Sequence, residues 1–197
     1  MTPSGLDSDR APRPAHTGDG RLPGDLEPRA LVERIIRVDQ AGEYGARRIY
    51  DGQLAVLGKR SPAYAAVRAM AEQERRHLDV FDQLIVERRV RPTALMPLWH
   101  VAGFALGAAT ALLGERAAMA CTIAVEEVID AHYEAQSRAL GDDEAPLRAR
   151  IDEFRAQERE HKETAEAQGG RRAGGYEPLS AAIKAGSRLA IWLSERI

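Results

Sequence analysis

The chain has 197 residues and a net charge of −2, with a single cysteine and only 5% aromatic residues. This length suits one domain with a substantial core, and the charge balance offers no basic surplus for binding nucleic acid. The cysteine, Cys121, lies in an apolar run and excludes a disulfide framework, a cysteine-based zinc site and a CxxC redox pair. The abundance of Ala, Arg, Glu and Leu favours helices over sheet.

Residues 1–26 are rich in Pro, Gly, Asp and Ser and show almost no apolar periodicity. We expect a disordered leader there, followed by one domain over residues 27–197. The leader lacks the apolar stretch of a secretory signal, and its aspartates are unusual in a mitochondrial presequence. The sequence therefore favours a bacterial cytoplasmic origin.

Apolar residues recur at helical spacing from Glu27 almost to the C-terminus, so every predicted element is a helix. The first helix is expected to run to about Gly58. The second begins with Ser61 as N-cap and Pro62 in the first turn. It ends before Pro92, because the residue that precedes a proline disfavours helical geometry.

A third segment without any fixed charge covers residues 92–114, and a fourth helix is predicted over residues 115–140. The stretch GDDEAP then breaks the chain, with Asp143 as the expected N-cap of a fifth helix that runs to Gly169. A last amphipathic helix begins near Leu179. No segment alternates with period two, so the predicted fold class is all-α.

Two of the five histidines follow a glutamate by three residues, in the stretches AEQERRH and QEREH. These pairs are Glu74 with His77 and Glu158 with His161. Residues at this spacing lie on the same face of a helix, so the carboxylate and the imidazole can bind one metal ion. A single such pair is weak evidence, because solvated charged faces produce it by coincidence.

Two further glutamates strengthen the metal interpretation. Glu43 lies 31 residues before Glu74, and Glu126 lies 32 residues before Glu158. Four antiparallel helices that each carry a Glu, two of them with a His, are typical of ferritin-like di-iron carboxylate bundles. Four carboxylates also balance two divalent ions, so the cluster can be buried as a neutral unit. Oxygen ligands with two imidazoles suit iron or manganese, and iron is favoured because the sequence has no other cofactor motif.

Several stretches resemble the demethoxyubiquinone hydroxylase family: VDQAGEYGARRIYDGQ, EQERRHL, CTIAVEEVIDAHYEAQ, EREH and AIWLSERI. The resemblance covers about residues 30–197. It implies a di-iron centre that hydroxylates the ring of a polyprenylated quinone during ubiquinone biosynthesis, with O2 and electrons from NADH. It also implies six metal ligands, namely Glu43, Glu74, His77, Glu126, Glu158 and His161.

The same resemblance implies a His–Tyr pair beside the ligand of the fourth helix, which falls on His132 and Tyr133. These two residues are candidates for redox or proton partners of the metals. Tyr133 lies seven residues after Glu126 and therefore on the same helix face. For His132, ordinary packing or surface exposure is the alternative interpretation.

The charge-free segment has 23 residues, which is enough for a membrane span by length alone. A single span would separate the first three proposed ligands from the last three, so no shared site could form. We therefore predict a ferritin-like four-helix bundle with an apolar crossover helix that lies along it and faces a membrane. A crossover buried in the protein or in a dimer interface is the alternative. The large apolar residues expected at an opening for the quinone are Leu95, Leu98, Trp99, Phe104 and Leu106.

The C-terminal helix has an apolar stripe, and its basic residues Lys184, Arg188 and Arg196 lie off that stripe. Trp192 adds an interfacial side chain. Such a helix suits anionic lipid headgroups, and packing onto the core is the alternative. The stripe consists of Leu179, Ile183, Gly186, Ala190, Leu193 and Ile197.

Gly42 and Gly45 lie inside the first helix next to Glu43. Glycine inside a helix costs roughly 0.5–1 kcal/mol relative to alanine, so the pair indicates steric clearance. Close packing of another helix and a cavity for the quinone ring explain it equally well.

The sequence thus predicts a di-iron monooxygenase, peripheral at the cytoplasmic face of a bacterial inner membrane, with O2 and NADH as co-substrates. Its expected partners are a polyprenyl quinone, the membrane surface, and a second copy or other proteins of ubiquinone biosynthesis. Nucleic acid is not expected. Two alternatives are a ferritin-like ferroxidase or iron-storage protein with the same ligands, and a metal-free helical scaffold at a membrane.

Overall fold

The computed structural model of the chain describes residues 26–197. The leader predicted for residues 1–26 lies outside the described residues, except for Leu26. The described part is all-helical, without strands, which confirms the predicted fold class. Its six α-helices are α1 Pro28–Val56, α2 Pro62–Glu87, α3 Met96–Leu112, α4 Glu115–Ala139, α5 Ala145–Ala167 and α6 Tyr176–Ser194.

The N-cap predicted for α2 is confirmed, whereas the N-cap predicted for α5 is not. The Ser61 hydroxyl caps α2 by accepting a hydrogen bond from the backbone N–H of Tyr64 at 3.1 Å. The prediction of Asp143 as N-cap of α5 is wrong, because Asp142–Glu144 form a 3₁₀ turn and no side chain caps the helix that follows. A proline in the first turn of α5 is tolerated there, since its missing N–H has no partner to lose.

Helices α1, α2, α4 and α5 form the four-helix bundle. Its main lateral contacts join α1 to α2 and α4 to α5. One apolar cluster at one end of the bundle includes Ile36, Phe81 and Ile151, and another at the opposite end includes Val67 and Met119. On each of the four helices, the predicted ligands lie between the positions that build these two clusters. The packing therefore holds the middle of the bundle from both ends.

Helix α3 connects α2 to α4 and packs mainly against α1, as expected for a crossover. It is shorter than the charge-free segment. The two helices approach each other closely through glycines. A Cβ atom added at Gly107 would lie 1.9 Å from the carbonyl oxygen of Ile49, and one added at Gly52 would lie 2.1 Å from that of Phe104. Only glycine permits this separation of the helices.

Helix α6 packs chiefly on α4 and also touches α1. Its apolar stripe is only partly buried, because Ile183 is enclosed whereas Gly186 and Ile197 are exposed. The indole N–H of Trp99 donates to Ser194 Oγ at 3.0 Å and joins α3 to α6. One face of the last helix therefore packs onto the bundle, as one alternative expects, and another face stays exposed. Its binding to lipid headgroups stays a prediction.

Large apolar side chains are exposed on α3 and α6. The exposed fraction is 65% for Val101 and 51% for Leu98 on α3, and 56% for Leu189 on α6. Within residues 26–197, one side of the crossover therefore stays exposed while the other packs on α1. Among the described helices, none is both long enough and apolar enough to cross a membrane.

The glycine contact between α1 and α3 predicts a large effect of one methyl group. Gly107→Ala should lower the free energy of unfolding by about 1–3 kcal/mol, because the added Cβ overlaps the backbone of α1. Gly45→Ala on α1 is the control, since nothing lies within 4 Å of its added Cβ, and it should raise stability by roughly 0.5–1 kcal/mol. Urea unfolding followed by circular dichroism measures both. Equal stability of the two variants would contradict the close contact.

Candidate metal centre

Six acidic and imidazole side chains converge in the middle of the bundle, at the positions that the sequence predicts. Each is at most 3% exposed. Helix α1 contributes one carboxylate and α4 another, whereas α2 and α5 contribute a carboxylate and an imidazole each. The six residues are Glu43, Glu74, His77, Glu126, Glu158 and His161.

These side chains form two overlapping groups that share Glu74 and Glu158. The first group adds Glu43 and His77. The second adds Glu126 and His161. Within each group, one ligand atom per residue lies within 4.8 Å of the others. Two neighbouring ions could thus each take one terminal carboxylate and one imidazole, with two carboxylates between them.

The polar atoms of the cluster fit bound cations. Glu43 Oε2, both oxygens of Glu74, and Glu158 Oε2 are buried without a hydrogen-bond partner, and so is Nδ1 of each histidine. Buried polar atoms are otherwise nearly always hydrogen-bonded, and isolated buried charges are very costly. The donor set of carboxylate oxygens and imidazole nitrogens suits iron or manganese.

Burial and mutual proximity shift the pKa values of the cluster in opposite directions. Burial raises the pKa of Glu126 to about 8. Burial by itself would lower the pKa of His77, but the neighbouring carboxylates of Glu158 and Glu43 stabilise the charged imidazole and raise the pKa to about 11. For Glu158, burial acts to raise the pKa, but His161 and His77 outweigh it and lower the pKa to about 2.

Helices α1 and α2 form one half of the bundle, and α4 and α5 form the other. Two tyrosines donate hydrogen bonds across the halves to Glu43 and Glu126, the carboxylates that belong to only one group each. Tyr133 on α4 donates its hydroxyl hydrogen to Glu43 on α1. Tyr50 on α1 donates to Glu126 on α4 at 2.8 Å. Tyr50 was missed as a site residue, although it follows Glu43 by seven residues just as Tyr133 follows Glu126.

His132 belongs to a polar network at the edge of the cluster. The Gln136 amide donates to Asp39 Oδ1 at 2.7 Å and lies 2.8 Å from Nε2 of His132. Asp39 is buried, and this burial raises its pKa. His132 is therefore half-buried within a polar network and is not simply an exposed surface residue. Asp39 and Gln136 were missed, although each lies one helical turn from a predicted site residue.

An apolar cavity of about 380 Å³ lies beside the cluster, between α1, α3, α4 and α6. Its lining includes the exposed residues Ala102 and Gly186, so it reaches the surface between α3 and α6. Five residues line both this cavity and the narrow space beside the carboxylates, so the two spaces adjoin. They are Val38, Gly42, Ala46, Ile129 and Ile191.

The two glycines beside Glu43 also line this cavity. A Cβ added at Gly42 or Gly45 would meet nothing within 4 Å. The side of α1 at these two glycines therefore faces open space, while α3 also approaches the backbone of Gly45, because a Cβ added at Gly103 would lie 2.9 Å from the Gly45 carbonyl oxygen. Both explanations that the sequence left open are therefore compatible with the structure, and the occupation of the cavity by a quinone ring stays a prediction.

The five apolar residues predicted at the quinone opening occupy different places. Trp99 and Leu106 line the cavity. Leu98 and Phe104 lie on the exposed side of α3, and the guanidinium of Arg48 lies 5.0 Å from the Phe104 ring centroid. Leu95 is half-buried at the start of α3, and it does not line the cavity.

A ferritin-like helical bundle with four buried carboxylates and two imidazoles at its centre defines the class of this protein. The family model for ubiquinone biosynthesis protein COQ7 matches residues 30–194. The chain therefore belongs to the COQ7 family of ubiquinone biosynthesis proteins, which confirms the resemblance noted in its sequence.

Relatives from bacteria and eukaryotes match most of the chain. The 3-demethoxyubiquinol 3-hydroxylase of Rhodospirillum rubrum is 61% identical, over 92% of this chain and 85% of the relative. The human NADPH-dependent 3-demethoxyubiquinone 3-hydroxylase, mitochondrial, is 52% identical, over 86% of this chain and 79% of the relative. The 5-demethoxyubiquinone hydroxylase of Saccharomyces cerevisiae mitochondria is 42% identical, over 85% and 79%.

The raised pKa values predict that metal binding releases protons. Below its pKa of about 8, Glu126 is protonated, and His77 with a pKa of about 11 is protonated at neutral pH. A metal ion must displace these protons, so its affinity should rise with pH, more steeply below about 8, where both groups release a proton, than between about 8 and 11, where only His77 does. A pH indicator in weak buffer, read during anaerobic addition of Fe²⁺, measures the release. An affinity that is independent of pH would contradict this reading of the site.

Proposed function

We propose that this chain hydroxylates the ring of a polyprenylated demethoxyquinone in ubiquinone biosynthesis, as a 3-demethoxyubiquinol 3-hydroxylase. The observation that carries the proposal is an apolar cavity that adjoins a buried carboxylate–imidazole cluster, in a chain 61% identical to a hydroxylase of that name. The hydroxylating domain is assigned to residues 27–197.

Two iron ions are the metals we propose for the cluster. Glu43 and His77 would hold one ion, Glu126 and His161 the other, with the two shared carboxylates between them. The proposed charge balance supports this, because four carboxylates neutralise two ferrous ions in a dry core. When bound, iron supplies the activation of O2 for insertion of one oxygen atom into the ring.

The chain's own residues position the quinone and the protons. The cavity beside Gly42 and Gly45 gives a flat ring room to approach the carboxylates, and its apolar lining excludes water. The Tyr133 hydroxyl holds a proton at Glu43 Oε1. His132, bound to Gln136 near the protein surface, is the proposed route by which protons or electrons reach that tyrosine.

The electrons are proposed to come from a reduced nicotinamide nucleotide. The sequence resemblance suggests NADH, whereas the name of the human relative specifies NADPH. Both are therefore tested side by side. Iron-loaded protein is mixed anaerobically with a demethoxyquinone and either nucleotide, and O2 is then admitted. Mass analysis that finds one added oxygen on the ring supports a hydroxylase, whereas accumulation of ferric iron without product would support iron storage.

We further propose that the protein lies at the surface of a bacterial inner membrane, on its cytoplasmic face. Exposed apolar side chains lie on α3 and α6, the helices that carry the exposed residues of the cavity lining, and these helices would face the lipid. Lifting a polyprenyl tail into water would cost ~0.8 kcal/mol per CH₂ group, so an opening towards the bilayer is favoured. A second copy or other proteins of ubiquinone biosynthesis remain the proposed protein partners.

Loss of one shared or terminal ligand should abolish turnover. Glu74→Ala removes a carboxylate common to both groups, and His161→Ala removes one imidazole. Both variants should keep most of their helicity, because the apolar clusters at the two ends of the bundle are unchanged. Bound iron and product formation are measured together. Glu160→Ala, an exposed glutamate on α5, is the matched control. Full activity of Glu74→Ala or His161→Ala would remove that residue from the site.

If the protein binds a membrane through α3, charged substitutions on the exposed side of α3 should lower activity on long-tailed quinones but not on short-tailed ones. Leu98→Asp combined with Phe104→Asp should weaken liposome binding, because a carboxylate placed at the apolar boundary of a bilayer is costly. Activity on a long-tailed quinone should fall, whereas activity on a short-tailed soluble analogue should survive. Val86→Asp alters an exposed apolar residue on α2 and is the control. Equal loss on both quinones, with helicity intact, would instead indicate a packing role for the crossover.

A further inference from the structure

Two glutamines bridge the ligand histidines on the outer side of the cluster. Gln157 Oε1 on α5 lies 2.7 Å from Nε2 of His77 on α2. Gln73 Oε1 on α2 lies 3.3 Å from Nε2 of His161 on α5. The Gln73 amide nitrogen also donates to Gln157 Oε1 at 2.6 Å. Each glutamine therefore contacts the histidine of the opposite helix, and the two side-chain amides contact each other.

These contacts determine which ring nitrogen of each histidine carries the hydrogen. An amide oxygen only accepts hydrogen bonds, so Nε2 of both histidines must donate. In a neutral imidazole the other nitrogen then carries the lone pair. Nδ1 of His77 lies 3.0 Å from Glu158 Oε1, and Nδ1 of His161 lies 2.8 Å from Glu158 Oε2. In the neutral form that a metal ion requires, both Nδ1 lone pairs would therefore point into the carboxylate cluster.

The bridge also joins two helices that have little other contact. Helices α2 and α5 touch each other far less than α1 touches α2 or α4 touches α5. On the side of His77, the ring of Phe154 stacks at 4.0 Å between centroids and restrains the imidazole further. The orientation of each histidine thus depends on a side chain from the facing helix.

We propose that Gln73 and Gln157 are positioning residues that hold both histidines as Nε2–H tautomers, with Nδ1 directed at the metals. This inference rests on the proposed metal-binding function. Partners of this kind fix the orientation of ligating histidines and raise their affinity for metal. Because Gln157 Oε1 accepts from both His77 and Gln73, while Gln73 must accept and donate, the two glutamines are not equivalent.

The test uses the affinity for Co²⁺, measured anaerobically by competition with a chelator. Gln73→Leu and Gln157→Leu remove the bridge and should weaken binding roughly 10- to 100-fold. Gln157→Glu keeps both acceptor functions and should bind close to the unaltered protein. Gln73→Glu loses its donor and places a carboxylate against an amide oxygen, so it should bind more weakly than Gln157→Glu. Gln83→Leu changes an exposed glutamine of α2 and is the control.

A second measurement reports the tautomer directly. In the protein loaded with diamagnetic Zn²⁺, nitrogen NMR should show two histidines bound through Nδ1 with slowly exchanging Nε2–H groups, and exchange should accelerate in both leucine variants. Circular dichroism of the metal-free variants checks that they fold. If a leucine variant does not fold, Gln73→Met or Gln157→Met is used in its place.

Three results would overturn the inference. Leucine variants that bind Co²⁺ as tightly as Gln83→Leu exclude a positioning role. If Gln157→Glu binds Co²⁺ as weakly as Gln157→Leu, the acceptor oxygen of Gln157 is not what positions His77. If NMR shows that the histidines bind the metal through Nε2, the proposed Nε2–H tautomer is wrong. An unaltered protein that fails to bind two Co²⁺ ions would instead reject the proposed metal-binding function, on which the inference depends.

Discussion

The burial of four glutamates in the middle of one helical bundle is the constraint on which the rest of this structure depends. Carboxylates that lose their hydration are stable only when cations, protons or hydrogen-bond donors replace water. Each half of the bundle supplies one imidazole and one tyrosine hydroxyl to the cluster, and apolar clusters at both ends hold the helices around it. Several oxygens nevertheless lack a hydrogen-bond partner, as expected where metal ions complete the set. The two divalent ions that we propose would balance these charges.

The two halves of the bundle use the same local pattern, and their polar contacts cross between halves. In each half, a glutamate is followed seven residues later by a tyrosine, and a later helix carries the sequence Gln-Glu-x-x-His. The tyrosine of each half binds the terminal carboxylate of the other. The glutamines show the same exchange between α2 and α5. Because these contacts are reciprocal, a shift of one helix would displace ligand side chains in both halves. The geometry of the two halves of the cluster is therefore coupled.

The crossover helix and the last helix shape the space in which the proposed reaction takes place. Glycines at Gly52 and Gly107 bring α3 against the backbone of α1. Beside Gly42 and Gly45, an apolar cavity extends from the carboxylates to the surface. Helix α6 closes its other side, tied to α3 through Trp99 and Ser194. The helices that border this opening also carry exposed apolar side chains, which is the feature on which the proposed contact with a lipid phase depends.

The sequence by itself determined the all-α class, five of the six helices within a few residues of their ends, and the set of six converging side chains. These follow from local rules, since helical periodicity and i, i+3 spacing depend only on neighbouring residues. It also contained the signals for Tyr50 and the two glutamines, as repeats of spacings already noted. Only the tertiary structure decided which helices face each other, which glycines mark a contact and which a cavity, and which apolar residues of α3 point outward. These depend on the separation and rotation of packed helices, and a nearly uniform apolar segment such as residues 92–114 has no polar face from which its orientation could be predicted.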